Sequence, residues 1–348
     1  MKKMLTAFCS GMVFLVLAGC ASKEPLVKIY PVPREISYAK SEATVLSGKV
    51  AEAQNKTLPP QGYTLAVLDD GDVKIEYCDE AGRFYAMQTL DQIRSYAEEF
   101  DNVVPLTIKD WPTIAKRGIV EGYYGRPWGT DGRISLLNFL GKYKMNTFIY
   151  GPKDDPYHHE KWRLPYPEDQ KADFKKLLAV ANRNKVNFYW AIHLGGNFSK
   201  KEPEMAKDYE SLFAKLEQMY EIGIRSYAVF FDDFGDSDAV RHANICNRVI
   251  KDFLLKKGDC ANLIVCPHIY WGLGTISYVA TLGRHLDKSA DIMWTGNYVC
   301  SDIPAAHVEK LTKRQGRAPY LWWNWPVNDY CRRKILMGRT CGLEKAEY

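Results

Sequence analysis

The sequence predicts an α/β protein: a small α/β domain followed by a (β/α)8 TIM-like barrel that is incomplete, with the eighth strand missing. Three observations carry this. From Arg117 onward, short apolar runs alternate with amphipathic stretches, the signature of a mostly parallel sheet. Nearly every run ends in polar or aromatic residues, as barrel strands do where their loops carry chemistry. No glycine-rich phosphate loop follows the first run: Gly122 and Gly125 flank aromatics and lack the GxGxxG spacing of an open doubly wound sheet.

Residues 1–20 read as an export signal. Lys2 and Lys3 precede the apolar run Met12 to Ala18, which is too short to span a bilayer. Leu17-Ala18-Gly19-Cys20 resembles the bacterial lipoprotein box, which implies lipidation at Cys20 and a chain anchored by its terminus. Ala21 and Ser22 follow with no aspartate beside the cysteine, which implies the outer membrane. The expected location is therefore an outer-membrane lipid anchor, periplasmic or surface-exposed, with membrane lipid as one partner through Cys20.

Residues 25–115 form the small domain. Tyr63–Leu68 and Val73–Cys78 alternate as strands around the turn Asp70-Gly71-Asp72. Phe84 to Tyr96 has helical spacing. Residues 25–60 are weakly patterned, and Ile108-Lys-Asp-Trp-Pro112 reads as a linker.

Residues 117–348 form the barrel. The candidate strands are Gly118–Tyr124, Asn146–Tyr150, Val186–His193, Ser226–Asp233, Leu263–Tyr270, Asp291–Gly296 and Ala318–Trp325. Helices fall between them, such as Phe174–Asn182 and Tyr209–Glu221. Seven strands in fewer residues than the roughly 250 of a typical barrel predict an open edge. Such an edge predicts aggregation, weak catalysis and a pocket lacking one wall beside Gly122 and Tyr124.

Composition narrows the function. The formal charge of +5 falls to about +3 once Lys2 and Lys3 are set aside, too weak for nucleic-acid binding. Aromatics reach 13%, nine of them Trp, which suits sugar faces as well as packing. Beyond Cys20, the cysteines Cys78, Cys246, Cys260, Cys266, Cys300, Cys331 and Cys341 are odd in number and scattered, so neither a disulfide framework nor a zinc site is expected. The adjacent His158 and His159 have no evident third ligand.

The sharpest feature is SYAVFFDDFGD, an apolar run that ends abruptly in Asp232 and Asp233. Two readings stand: a solvated strand corner, or a pair of carboxylates dividing acid–base work at a sheet rim. A strand alternates its side chains, so the backbone must bend for both to reach one substrate, and Gly235 is the expected place.

Five motifs then identify a family. Arg117-Gly-Ile-Val-Glu-Gly-Tyr-Tyr-Gly-Arg-Pro-Trp128, Lys144-Met-Asn-Thr-Phe-Ile-Tyr-Gly-Pro-Lys-Asp-Asp-Pro-Tyr157, Trp190-Ala-Ile-His193, Phe230-Phe-Asp-Asp233 and Trp322-Trp-Asn-Trp-Pro-Val-Asn-Asp329 closely resemble glycoside hydrolase family 84, the O-GlcNAcases and related β-N-acetylglucosaminidases. The resemblance covers nearly all of residues 25–348. It implies a β-GlcNAc-bearing glycoprotein or glycan as substrate, no cofactor or metal, and cleavage assisted by the substrate's own 2-acetamido oxygen. It implies that Asp232 orients the acetamido group and that Asp233 is the general acid/base. It further implies sugar contacts from Gly122, Tyr124, Lys153, Tyr270, Thr295, Val299, Trp322, Asn324 and Asp329. For Lys153 a partnership with Asp154 or Asp155 stays open, and His193 fits either a ligand or a supporting residue.

Three departures from the family pattern accompany the resemblance. The small domain is short between Gly48 and Pro60, and Pro267-His-Ile-Tyr-Trp271 differs on both sides of the tyrosine. The strand count stops at seven. Two functional readings follow: an active exo-acting retaining β-N-acetylglucosaminidase, or a nonhydrolytic GlcNAc-binding surface lipoprotein or inactive fragment.

Overall fold

The structure is a computed structural model that describes residues 27–194, 198–233, 235–273 and 277–324. Cys20 and Asp329 lie outside the described residues.

The first sheet has five strands: β1 (Glu35–Tyr38), β2 (Val50–Gln54), β3 (Tyr63–Val67), β4 (Val73–Tyr77) and β5 (Leu106–Asp110), in the order β1-β5-β3-β4-β2. β3 alternates buried and half-buried residues and β4 alternates buried and exposed ones, the period of a sheet with one covered face. That face is covered by α1 (Glu80–Phe100) through Tyr85, Ala86, Leu90 and Ile93. The Asp79 carboxylate caps α1, accepting from Gly82 N at 2.9 Å, and Asp101 ends it at φ +60°. The stretch read as a linker is partly a strand: β5 lies between β1 and β3, with Leu106 and Ile108 buried in the core.

The second sheet is parallel throughout and has seven strands, in the order β12-β11-β10-β9-β8-β7-β6. They are β6 (Gly118–Glu121), β7 (Thr147–Tyr150), β8 (Asn187–His193), β9 (Ser226–Phe230), β10 (Ile264–Cys266), β11 (Asp291–Trp294) and β12 (Tyr320–Leu321). All seven runs identified in the sequence become strands. The connecting helices include α2 (Thr130–Lys142), α3 (Glu168–Arg183), α4 (Glu204–Glu221) and α5 (Ala239–Val249), the last running on into a π-helical stretch over Ile250–Leu254.

Side-chain alternation sorts the strand residues into two layers. Ile149, Tyr189, Ala191, Ala228, Phe230, Ile264, Cys266 and Met293 pack together inside the curved sheet. Phe148, Tyr150, Phe188, Trp190, Tyr227, Val229 and Val265 pack outward against the helices. Both faces are covered, so β8 and β9 read as nearly continuous apolar runs. Each fully buried large side chain contributes roughly 1.5–3 kcal/mol. Gly151 belongs to this inner packing: a Cβ there would stand 2.6 Å from Phe230 Cε2.

Among the described residues the sheet is an open, incomplete barrel, since β6 pairs only with β7 and β12 only with β11. Side chains cross the opening at both ends. Lys116, just before β6, forms an ion pair with Asp291 on β11, and its ammonium lies 5.8 Å from the Tyr320 ring on β12. At the other rim a Cβ on Gly122 would lie 3.4 Å from Trp322 Cζ2. The edge expected to expose Gly122 is therefore partly covered by an indole.

The two sheets are joined by buried polar contacts. Lys144 Nζ donates to Tyr63 Oη at 2.6 Å and to Asp110 Oδ2 at 3.0 Å. Arg117 donates to the Lys144 carbonyl at 2.7 Å and to Gln61 Oε1 at 3.1 Å. The first sheet thus braces the turn into β7.

Candidate active site

The carboxylate pair sits at the C-terminal end of β9, the middle strand of the seven. Asp232 points inward and is 2% exposed, while Asp233 is exposed. The bend between them is at Asp233 itself, which adopts φ +55°. Gly235 does not supply it. Aspartate is among the few non-glycine residues that enter the left-handed region readily, at modest cost.

Asp232 is held by a cation and a histidine. Lys153 Nζ, from the loop after β7, donates to Asp232 Oδ2 at 2.5 Å, with both side chains buried. This corrects the local alternative for Lys153. Asp154 is exposed, and Asp155 instead accepts from Tyr150 Oη and Tyr166 Oη, each at 2.7 Å. His193 Nε2, at the end of β8, lies 2.7 Å from the Asp232 carbonyl oxygen and 3.6 Å from Asp232 Oδ1. Burial is the largest single effect and pushes the Asp232 carboxyl up, but Lys153, through its charge and hydrogen bond, together with smaller contributions from its other neighbours, holds the group below the usual carboxylate range. Burial first, and Lys153 second, push the His193 imidazole down to about 2, so the ring is neutral. Among the described residues Asp232 Oδ1 has no hydrogen-bond partner although it is buried. A buried ionised oxygen without a donor is costly, and it marks a place where a substrate N–H can complete the bonding.

Asp233 has a different environment. Tyr124 Oη donates to its Oδ2 at 3.0 Å. Tyr124 follows β6, so an edge-strand loop reaches the central carboxylate. The Lys153 ammonium lies 5.9 Å from the Tyr124 ring and 5.7 Å from the Phe230 ring.

The remaining sequence candidates gather on the other side. Tyr270, beyond β10, sets its ring 5.7 Å from the Trp322 ring. Trp322 in turn stacks on Phe230 at 6.3 Å and 22°. Thr295 is buried beyond β11, and its hydroxyl faces the carbonyls of Tyr298 at 3.1 Å and Tyr270 at 3.4 Å. It shapes the loop. Asn324 Nδ2 donates to the Val299 carbonyl at 2.8 Å, so these two candidates meet each other through the backbone of one. The structure therefore brings Gly122, Tyr124, Lys153, Tyr270, Thr295, Val299, Trp322 and Asn324 to the same rim as the aspartates.

Sequence reasoning missed Glu121. It is fully buried on the outer face of β6, gripped by Arg133 at 2.7 and 2.8 Å, and accepts from Trp128 N at 2.9 Å. This fixes the loop that carries Tyr123 and Tyr124. The available signal was a glutamate inside an apolar run with an arginine on the next helix. Cys266, at the end of β10, is also buried, and burial, then the Asp232 charge, push its thiol well above the usual range. Among the described residues no three His, Cys, Asp or Glu side chains converge to hold a metal.

Residues 117–347 match the model of the NAGidase family, described as beta-N-acetylglucosaminidase. The chain belongs to this family. Residues 25–111 of this NAGidase-family chain match a second model, domain 2 of glycosyl hydrolase family 20. Its chain is 30% identical to the protein O-GlcNAcase of Rattus norvegicus over 237 residues, 64% of this chain and 25% of that protein. It thus spans about a quarter of the length of that curated relative. The solved structure of CpGH84B superposes with a TM-score of 0.80 at 29% identity, spanning 89% of this chain and 64% of that one. An O-GlcNAc hydrolase variant from Thermobaculum terrenum superposes at 0.58 and 33%, spanning 63% and 49%. This NAGidase-family chain thus has the barrel-type fold seen in structures of that group.

Proposed function

We propose that the chain is an exo-acting retaining β-N-acetylglucosaminidase of the O-GlcNAcase type. It cleaves terminal β-linked GlcNAc from a glycoprotein or glycan. The observation that carries this reading is the contrast between two adjacent carboxylates. Asp232 is buried, held ionised with Lys153 beside it, and among the described residues has one buried oxygen without a hydrogen-bond partner. Asp233 is exposed at a left-handed turn beside a phenol. Neighbouring acids in environments this different are suited to different tasks.

In the first step the 2-acetamido oxygen attacks C1 and the bond from C1 to the leaving oxygen breaks. Asp233 gives its proton to that oxygen. Asp232 Oδ1 accepts from the acetamido N–H, which keeps its proton, and stabilises the positive charge that develops as the oxazolinium ion forms. In the second step Asp233 takes a proton from water, the water oxygen bonds to C1, and the ring opens. Net retention follows from two displacements. Lys153 keeps two further N–H donors for a sugar hydroxyl. Tyr270 and Trp322 wall the N-acetyl pocket, beside Gly122, Thr295 and Val299. Asn324, tethered to Val299, orients its amide toward the outer hydroxyls, a task the family resemblance also gives to Asp329.

The test uses a series of aryl β-GlcNAc substrates. Asp233→Ala is expected to lose far more rate on poor leaving groups than on activated phenols, which need little protonation. Asp232→Ala is expected to slow both. Plain β-glucosides are expected to be inert, and chelators without effect. Equal losses across the series for Asp233→Ala, or good turnover of a β-glucoside, would sink the reading.

The open sheet edge favours a second reading, binding of GlcNAc without turnover. Calorimetric binding of GlcNAc by a chain that hydrolyses no aryl glycoside would select it. We also propose lipid anchoring at Cys20, supported by the signal-like segment before it. Absence of a lipid mass on the Cys20 peptide of the membrane-extracted protein would refute the anchor.

A further inference from the structure

Three imidazoles crowd the strand ends beside the carboxylate pair. His159 and His193 meet edge to face, with ring centroids 4.3 Å apart at 72°. His158 stands behind them, 6.1 Å from His193, with Nδ1 2.7 Å from the Ala191 carbonyl. His193 N donates to the His158 carbonyl at 2.9 Å, which ties the end of β8 to the loop after β7.

We propose that His159 and His193 are positioning residues, a clamp that fixes the Lys153–Asp232 pair by holding one backbone carbonyl of each partner. His193 Nε2 lies 2.7 Å from the carbonyl of Asp232, and His159 Nδ1 lies 3.3 Å from the carbonyl of Lys153. Carbonyls only accept, so the proton sits on Nε2 of His193 and on Nδ1 of His159. The two rings then brace each other. The loop after β7 and the end of β9 are thereby held together by a path separate from the ion pair.

Imidazole suits this task because it donates without adding charge. Lys153, Asp232, His158 and His159 face His193; Lys153, Glu160 and Asp232 face His159. Burial and the nearby lysine push both rings down, so both are neutral donors at working pH. A lysine or arginine in either place would compete with Lys153 for Asp232. The anchored carbonyl belongs to Asp232, and the left-handed turn at Asp233 begins at the next residue. One hydrogen bond therefore sets the aim of both carboxylates: Oδ1 of Asp232 toward the acetamido group and Asp233 toward the leaving oxygen. Small misplacements of such groups cost rate steeply. The inference rests on the proposed reaction for its kinetic consequence, and on geometry alone for the clamp.

The experiment compares His193→Ala, His193→Gln and His159→Gln with the wild type, all as the full chain, on an aryl β-GlcNAc substrate. His193→Ala is expected to lower kcat about tenfold or more with KM changed less than about threefold, because positioning acts on the transition state. His193→Gln can place an amide N–H where Nε2–H stood and is expected to recover most of the loss. His159→Gln is expected to retain its donor and lose little. Wild-type kcat in His193→Ala, or a His193→Gln variant as slow as the alanine variant, overturns the clamp. If His193→Ala does not fold, the glutamine variant and its thermal melt decide alone. If the wild type turns over no substrate, the reaction reading fails separately. The clamp is then read from the histidine ¹⁵N resonances of the wild type. A neutral His193 carrying its proton on Nε2 down to pH 4 upholds it, and an Nδ1–H or protonated His193 overturns it.

Discussion

Replacing Lys153 by methionine tests the electrostatics of the buried Lys153–Asp232 pair. The methionine keeps most of the stem and removes the ammonium that sits 2.5 Å from Asp232 Oδ2. Both side chains are almost wholly buried, so the carboxylate left behind cannot regain its cation from solvent. Removing one partner of such a pair costs about 3–5 kcal/mol. At roughly 2–4 °C per kcal/mol, this lowers Tm by roughly 6–20 °C near neutral pH. The pH dependence also changes sign. In the wild type the Asp232 carboxyl is held below its usual range, so the pair's contribution is present above pH about 4 and is lost as pH falls through the folded-state value. In the variant, burial acts without Lys153 and pushes the carboxyl up. The neutral acid is then the favoured folded form, and stability falls as pH rises above about 4. The assay is calorimetric melting of both proteins at several values between pH 4 and pH 8. A variant that melts within about 2 °C of the wild type at neutral pH, and follows the same pH slope, would refute the reasoning.

Two further outcomes are expected. Glu121→Gln leaves the buried Arg133 guanidinium without its carboxylate and is expected to cost about 3 kcal/mol in denaturant unfolding; a loss under about 1 kcal/mol would mean that water already solvates the pair. Tyr124→Phe removes the donor 3.0 Å from Asp233 Oδ2 and is expected to slow poor leaving groups about tenfold while sparing activated phenols, read from a leaving-group series.

The interior barrel strands β7 to β11 were legible because they are buried on both faces and read as apolar runs; β8 and β9 are the clearest. β1 and β2 left no such trace. Both are edge strands of the first sheet, and most of their residues are exposed. β5 was misread because Lys109, Asp110 and Pro112 surround Ile108 and look like a linker, although Leu106 and Ile108 are core. In the site, the aspartate pair was visible as charge ending an apolar strand. Its bend was not, because Asp233 enters the left-handed region itself instead of leaving it to Gly235. The Lys153–Asp232 pair was also invisible. The partners are 79 residues apart, and two nearer acids stood beside Lys153 in the sequence.

The position of the pair on β9 limits what the open edge can do. β9 is the middle strand, with three strands on either side. Lys153 follows β7, His193 ends β8, Tyr270 follows β10 and Thr295 follows β11, so the residues of the proposed acetamido site are held by five consecutive interior strands. Among the described candidates, Gly122 and Tyr124 beyond β6, and Trp322 and Asn324 beyond β12, lie at the edges. Trp322 is the link between the two groups, since its ring faces Gly122 across the opening and stacks on Phe230 inside. Trp322→Ala is therefore expected to act mainly on binding. It removes a wall of the pocket while Asp232, Lys153 and His193 keep their contacts. Raising KM several-fold with kcat changed less than about threefold would be the signature of lost uniform binding. The opposite pattern, a large fall in kcat with KM unchanged, would mean that the opening reaches the central carboxylates and that Trp322 helps to aim them.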